Sequence, residues 1–87
     1  MNYQEDVDKI GAKTADMHRA IESLKEELEA VDLYNQRVAA TEDLKLKSIL
    51  VHNRDEEKEH ASMLLEWIRQ QDEIFSKELK ANLFTDK

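Results

Sequence analysis

The stretch from Leu46 to Trp67, LKSILVHNRDEEKEHASMLLEW, decides the reading of the whole chain, because its centre is polar where a packed helix should be most apolar. Steps of three and four residues down one helical face pass Leu46, Leu50, Asn53, Glu57, His60, Leu64 and Trp67, so apolar ends flank a carboxylate and an imidazole. A carboxylate inside a packed face is costly unless something compensates it, and no Lys or Arg of the stretch lies on that stripe. A metal ion would compensate it. Glu57-Lys58-Glu59-His60 is a Glu-x-x-His, which within one helical turn aims an oxygen and a nitrogen donor at a common point.

Composition narrows the setting. With 87 residues, 38% charged and 40% hydrophobic, the chain makes one small domain over residues 1–87 with little core of its own, so a partner is expected to complete it. One Gly, no Pro and abundant Glu, Lys, Leu and Ala leave almost no turn chemistry for strands, which predicts an all-α fold. The net charge of −7 and pI near 4.9 disfavour nucleic-acid phosphate as a partner and suit a surface that attracts cations. The absence of Cys removes disulfides, Cys-rich zinc sites and thiol nucleophiles, and is compatible with a reducing cytoplasm. No apolar run approaches the roughly 20 residues that span a bilayer, and the N-terminal residues are no signal peptide. A soluble, unsecreted protein is expected.

Met1 to about Val7 is polar without a clear period and reads as a frayed tail. From Ile10 the positions Ile10, Met17, Ile21, Leu24, Leu28, Val31 and Val38 follow helical spacing, giving a first helix over about 8–40, in which Gly11 weakens only the first turn. Ala40-Thr41-Glu42-Asp43 is the best break, because Thr41 or Asp43 can cap a second helix over about 44–71. So short a link forces an antiparallel hairpin. Phe75, Leu79 and Leu83 then repeat every four residues as a short amphipathic helix over about 73–83, although neither Gly nor Pro marks where it begins.

The other ligands lie on the first helix. A stripe through Ala20, Leu24, Glu27, Val31, Tyr34 and Val38 is also interrupted at mid-length by an acid, Glu27. Counted from the turn at about 1.5 Å per residue, Glu27 lies roughly 22 Å along one helix and the Glu57/His60 pair roughly 25 Å along the other, so the two anomalies are level. One hairpin then offers two carboxylates and one imidazole, half of a two-metal site. Two hairpins packed by a two-fold axis into a four-helix bundle supply the whole, and the four carboxylates are neutralised by two Fe²⁺.

Oxygen-rich ligation suits iron or manganese, and the reaction natural to an iron pair is transfer of one electron from each Fe²⁺ to O₂ or peroxide. Two other readings remain open on spacing alone. The same donors can hold manganese, zinc or calcium without turnover, or a metal-free oligomer can use its polar mid-stripe to fix register. Tyr34 can support a ligand or donate an electron, though plain packing is the stronger reading, and Met63, Leu64 and Trp67 read as core. His18 and His52 lie off the stripe and read as surface residues, and Glu22, Glu26 and Glu29 line an outer face.

The stretches HRAIESLKEELEAVDLYNQRV, from His18 to Val38, and HNRDEEKEHASMLLEW, from His52 to Trp67, closely resemble the encapsulated ferritins, the ferritin-like cargo of encapsulin nanocompartments. The likeness spans about residues 18 to 84. In ferritin-like carboxylate proteins the Glu plus Glu-x-x-His pattern is already known, and the half-site restates it. The resemblance implies a ferroxidase with a di-iron centre at a dimer interface, held by Glu27, Glu57 and His60 with Tyr34 close by. It also implies an outer metal-attracting site at Glu26 and Glu29, and a ring-shaped decamer of five dimers enclosed in an encapsulin shell in the cytoplasm. Leu33 departs from the pattern, since the family carries Trp beside that outer site. Family members also continue into a C-terminal peptide that docks inside the shell, whereas the sequence in hand ends at Lys87.

Overall fold

The computed structural model describes residues 3–86 and is helical throughout its ordered elements. Helix α1 runs Val7–Ala40, α2 Leu44–Gln71 and α3 Glu73–Asn82, with no strand among the described residues. The chain is an antiparallel hairpin with a short third helix. Moving along α1 from Glu27 to Asn35, the residue met on α2 moves back from His60 to Arg54, which is the register of an antiparallel pair.

Each helix end has a local cause. The Asp6 carboxylate accepts from the Asp8 N–H at 3.0 Å and opens α1. At the other end the Thr41 N–H donates to the Arg37 carbonyl at 3.1 Å, and its hydroxyl accepts from the Asp43 N–H at 3.2 Å. Asp43 in turn accepts from the Leu46 N–H at 2.9 Å, so of the two candidate caps Asp43 starts α2 while Thr41 closes α1. Asp72 adopts extended backbone, φ −135° and ψ 109°, and its carboxylate accepts from the Phe75 N–H at 2.9 Å. One residue therefore ends α2 and caps α3. Arg69 braces this corner by donating to both Glu66 oxygens at 2.6 and 2.7 Å and to the Ser76 hydroxyl at 3.1 Å. Those charge-assisted bonds, first from Arg69 and then from Gln70, hold the Glu66 carboxyl down at about 2.

Two expectations are corrected at the N-terminus. Gly11 sits at φ 81°, ψ 165°, a conformation natural only to glycine, and interrupts α1 outright instead of softening its first turn. The segment expected to fray is partly ordered: Tyr3 lies against His18, with ring centroids 4.8 Å apart. Met1 and Asn2 lie outside the described residues.

The hairpin seam is narrow. Among the described residues the buried apolar ones are Ala15 and Ala20 on α1 and Ala61 and Ile68 on α2, three of them alanines. The α3 helix packs on α2 and not on α1. The molecule measures 50 × 39 × 15 Å with a radius of gyration of 16.7 Å. A globular chain of this length has a radius near about 12 Å, so this is a single layer one helix deep. Met63 and Trp67, expected as core, are 63% and 38% exposed, and Leu46, Ile49, Ile21 and Leu28 are also exposed. The helical period predicts which side chains share a face, but a lone hairpin has nothing to lay over that face.

Candidate metal centre

Glu27, Glu57 and His60 meet midway along the α1/α2 seam, where one ligand atom from each lies within 4.8 Å of the others. Glu27 comes from α1, and Glu57 and His60 stand one turn apart on α2. The His60 Nδ1 is 3.5 Å from Glu27 Oε2 and 3.5 Å from Glu57 Oε2, too long for a well-made hydrogen bond to either. Both carboxylate side chains are 24% exposed, and the imidazole, at 46%, forms the open side.

Packing together shifts the titration of Glu27 and His60. Sharing a hydrogen bond with Glu57 raises the Glu27 carboxyl above its ordinary 4.5, and desolvation and the Glu57 charge push the same way against His60. Burial pulls the His60 imidazole down, but the charges of Glu27 and Glu57 and the contacts with both carboxylates outweigh it, leaving it above 6.5. Both shifts favour the protonated form. Glu27 Oε2 is buried and has no hydrogen-bond partner, an acceptor without a donor. Two carboxylate oxygens, one of them orphaned, and an imidazole nitrogen at one point fit a divalent cation of the iron, manganese or zinc type.

The remaining candidates fall outside this cluster. Tyr34 is half-buried two turns further along α1, with the Arg37 guanidinium carbon 5.2 Å from its ring centroid. Glu26 and Glu29 are exposed on the outer face of α1, and Leu33 is 37% exposed. His52 is exposed and faces Glu56 at 3.6 Å. His18, expected at the surface, is half-buried under Tyr3 with its Nε2 buried and unpartnered.

Sequence reasoning missed Arg54. Its guanidinium spans the seam, donating to Asn35 Oδ1 at 3.3 Å and to Asp55 Oδ1 at 3.2 Å. Its place three residues before Glu57 was the available signal, since that spacing puts a cation one turn from the ligands. Asn35 and Asp55 engage it, so the compensating charge is drawn away from the cluster.

A family model described as EncFtn-like matches residues 2–86. The chain belongs to the EncFtn-like family. Among relatives, it is 52% identical over 82 residues to a protein of Rhodospirillum rubrum named encapsulated ferritin-like protein, covering 94% of this chain and 59% of that one. It is 52% identical over 85 residues to a ferritin-like protein of Thermotoga maritima, covering 98% of this chain and 75% of the relative. A protein of Myxococcus xanthus named encapsulin nanocompartment cargo protein EncC is 40% identical over 50 residues, 58% of this chain and 38% of that one. This EncFtn-like chain thus spans about three-fifths of the Rhodospirillum relative's length. A crystal structure of a Nitrosomonas europaea protein superposes with a TM-score of 0.95 at 66% identity, covering 100% of this chain and 96% of the other. The EncFtn-like hairpin with its short third helix is therefore the fold of a solved relative as well.

Proposed function

We propose that this protein is a ferroxidase: two copies join their half-sites, bind Fe²⁺ as substrate and oxidise it to Fe³⁺ with O₂. The observation that carries this reading is the meeting of Glu27, Glu57 and His60 within 4.8 Å around a buried carboxylate oxygen that has no partner. One chain supplies two anionic oxygens and one neutral nitrogen, and a second copy doubles the set. Four carboxylates then balance two divalent ions. Each Fe²⁺ gives up one electron, and O₂ accepts them with protons from solvent.

Every group has a distinct task. Glu27 and Glu57 bring negative charge that favours Fe³⁺ over Fe²⁺, and a carboxylate can bind through one oxygen or two as the ion shrinks. His60 binds through nitrogen without adding charge, provided it is deprotonated. On this reading Tyr34, two turns along α1 from Glu27, supports a ligand or supplies an electron, while Glu26 and Glu29 collect cations on the acidic outer face. The exposed apolar residues Leu46, Ile49, Met63 and Trp67 flanking His60, and Ile21 and Leu28 on α1, are the surface that the second copy covers to make a four-helix bundle.

Further assembly into a ring of five dimers, and enclosure within an encapsulin shell in the cytoplasm, belong to the same proposal. Enclosure is supported by relatives named as encapsulated ferritin-like and encapsulin cargo proteins. No helix among the described residues is long and apolar enough to cross a membrane, in keeping with an enclosed protein. The test is aerobic Fe²⁺ oxidation followed by ferric absorbance, with the mass of the assembly measured in parallel. The native protein is expected to exceed the buffer rate, and Glu57→Ala and His60→Ala to fall to it. A native rate equal to buffer, or one indifferent to both substitutions, would remove the enzyme assignment, and metal bound without turnover would leave a binding protein.

A further inference from the structure

We propose that Asn35 and Asp55 are positioning residues for the metal centre, which hold the Arg54 guanidinium off Glu57 and so leave that carboxylate to a divalent cation. The inference rests on the reading that Glu27, Glu57 and His60 bind such an ion, and not on the oxidation that follows. A carboxylate can be neutralised from solvent or by a cation of its own chain, and a guanidinium that takes both oxygens leaves none for a metal. Arg54 stands three residues before Glu57 on α2, a spacing that puts Cβ atoms about 5–6 Å apart. Arginines of this chain do take carboxylates at that spacing. Arg19 meets Asp16 at 2.7 Å, and Arg69 meets Glu66 at 2.6 Å. Arg54 instead has Asp55 as its carboxylate partner among the described residues.

The contacts fix which way the side chain leans. Successive helical residues stand about 100° apart round the axis, so Asp55 lies about 100° to one side of Arg54 and Glu57 about 60° to the other. Residues i and i+1 do not ordinarily face each other. Even so, Arg54 Nε donates to Asp55 Oδ1 at 3.2 Å, and a terminal nitrogen donates to Asn35 Oδ1 on α1 at 3.3 Å. The guanidinium is thus bent to the side away from Glu57 and tied at two points. Asp55 also takes Lys58, the residue after Glu57, at 3.4 Å. One acid therefore occupies both basic residues that flank the ligand in sequence. Base before acid is the weaker order of a helical pair, so two ordinary hydrogen bonds suffice to win Arg54 from Glu57. None of these contacts needs a second copy.

The test is a mutant cycle read by Mn²⁺ affinity, followed at one protein concentration by loss of the free-ion paramagnetic resonance signal, so no turnover is required. Arg54→Gln is made in the native chain and in a chain carrying Asn35→Ala with Asp55→Ala. Released by those two substitutions, Arg54 should fall onto Glu57 and weaken Mn²⁺ binding roughly fivefold, the scale of a charge-assisted bond discounted for partial exposure. Adding Arg54→Gln to the released chain should recover most of that loss, whereas in the native chain it should change affinity by less than about twofold. Long-range charge acts alike in both backgrounds. An equal effect of Arg54→Gln in the two, or a weakening in the native chain such as loss of a seam brace would give, overturns the proposal. A crystal structure of the released chain should show the guanidinium within about 4 Å of a Glu57 oxygen, and one turned into solvent overturns it as well. Mn²⁺ binding indifferent to Glu57→Ala overturns the metal centre and this proposal together. The expected cycle without any iron oxidation upholds the proposal and overturns the ferroxidase reading alone.

Discussion

Replacing Glu27 with Gln should strengthen the metal-free protein and weaken the metal-loaded one. Ligand atoms of Glu27 and Glu57 lie within 4.8 Å of each other. Two unit negative charges at that separation repel by about 3.5 kcal/mol at an effective dielectric constant of about 20. Both side chains are 24% exposed, so solvent screening reduces the net effect to about 2 kcal/mol. The hydrogen bond shared with Glu57 and then desolvation raise the Glu27 carboxyl above 4.5, and the Glu57 charge adds to both.

The sign follows from that shift. A carboxyl whose folded pKa is raised contributes stability that is full below 4.5 and is lost as pH rises through the raised value. His60, also raised, contributes stability that is full below 6.5 and is lost above its own raised value. Native metal-free protein should therefore lose stability steadily from mildly acidic to mildly alkaline pH. Glu27→Gln removes the lower part of that slope. At mildly alkaline pH it should melt higher than native, by about 10 °C for a gain near 2 kcal/mol in a domain of this size.

The assay is thermal unfolding by circular dichroism at one fixed protein concentration, first in chelator and then in excess Mn²⁺, which occupies oxygen-rich sites without being oxidised by O₂ under mild conditions. A ligand at about a hundred times its dissociation constant adds about 2.7 kcal/mol. The variant, lacking one anionic donor, should gain much less, so native and variant should exchange rank between the two conditions. The same rank in both would refute the argument that Glu27 and Glu57 repel each other until a cation joins them.

Two further predictions concern the scaffold. Ile68 is 1% exposed and is the largest fully buried side chain, so Ile68→Ala should cost about 2–5 kcal/mol in denaturant unfolding, against little for truncating exposed Ile74. Asp72→Ala removes the acceptor of the Phe75 N–H and should cost about 0.5–2 kcal/mol, with hydrogen exchange accelerated in α3 and unchanged in the middle of α1.

The hairpin was legible because the signals for it are local. Helix formers fill both long segments, Asp43 sits before the apolar run that opens at Leu44, and three residues leave no other route than reversal. That Glu27 is level with Glu57 and His60 follows from helical rise alone. What escaped depends on particular geometry. The break at Gly11 was not legible, because a lone glycine near a helix end is compatible with either helix or a left-handed turn. Asp72 has no Gly or Pro to announce it, and the extended residue became visible only with the Arg69 brace to Ser76. The burial of His18 is not local, because Tyr3, fifteen positions away along the chain, lies over it. Period alone puts Met63 and Trp67 on an apolar face, and it identifies that face without stating what lies opposite.

That last point joins the site to the assembly. Positions near the middle of the seam, where Leu or Ile would ordinarily close a hairpin, are taken by Glu27 and Glu57, and the buried apolar set shrinks to three alanines and one isoleucine. Carboxylates there lower the intrinsic stability of the single layer and leave its outer strip of Leu46, Ile49, Met63 and Trp67 uncovered. A second copy can bury that strip only by bringing its own acids up to the first, which repel unless cations or protons intervene. On the proposed pairing, apolar burial and cation binding are each incomplete without the other, and whatever discharges the centre should loosen the packing around it. Metal concentration and acidity then act on one association equilibrium in that pairing, because both are felt at Glu27, Glu57 and His60.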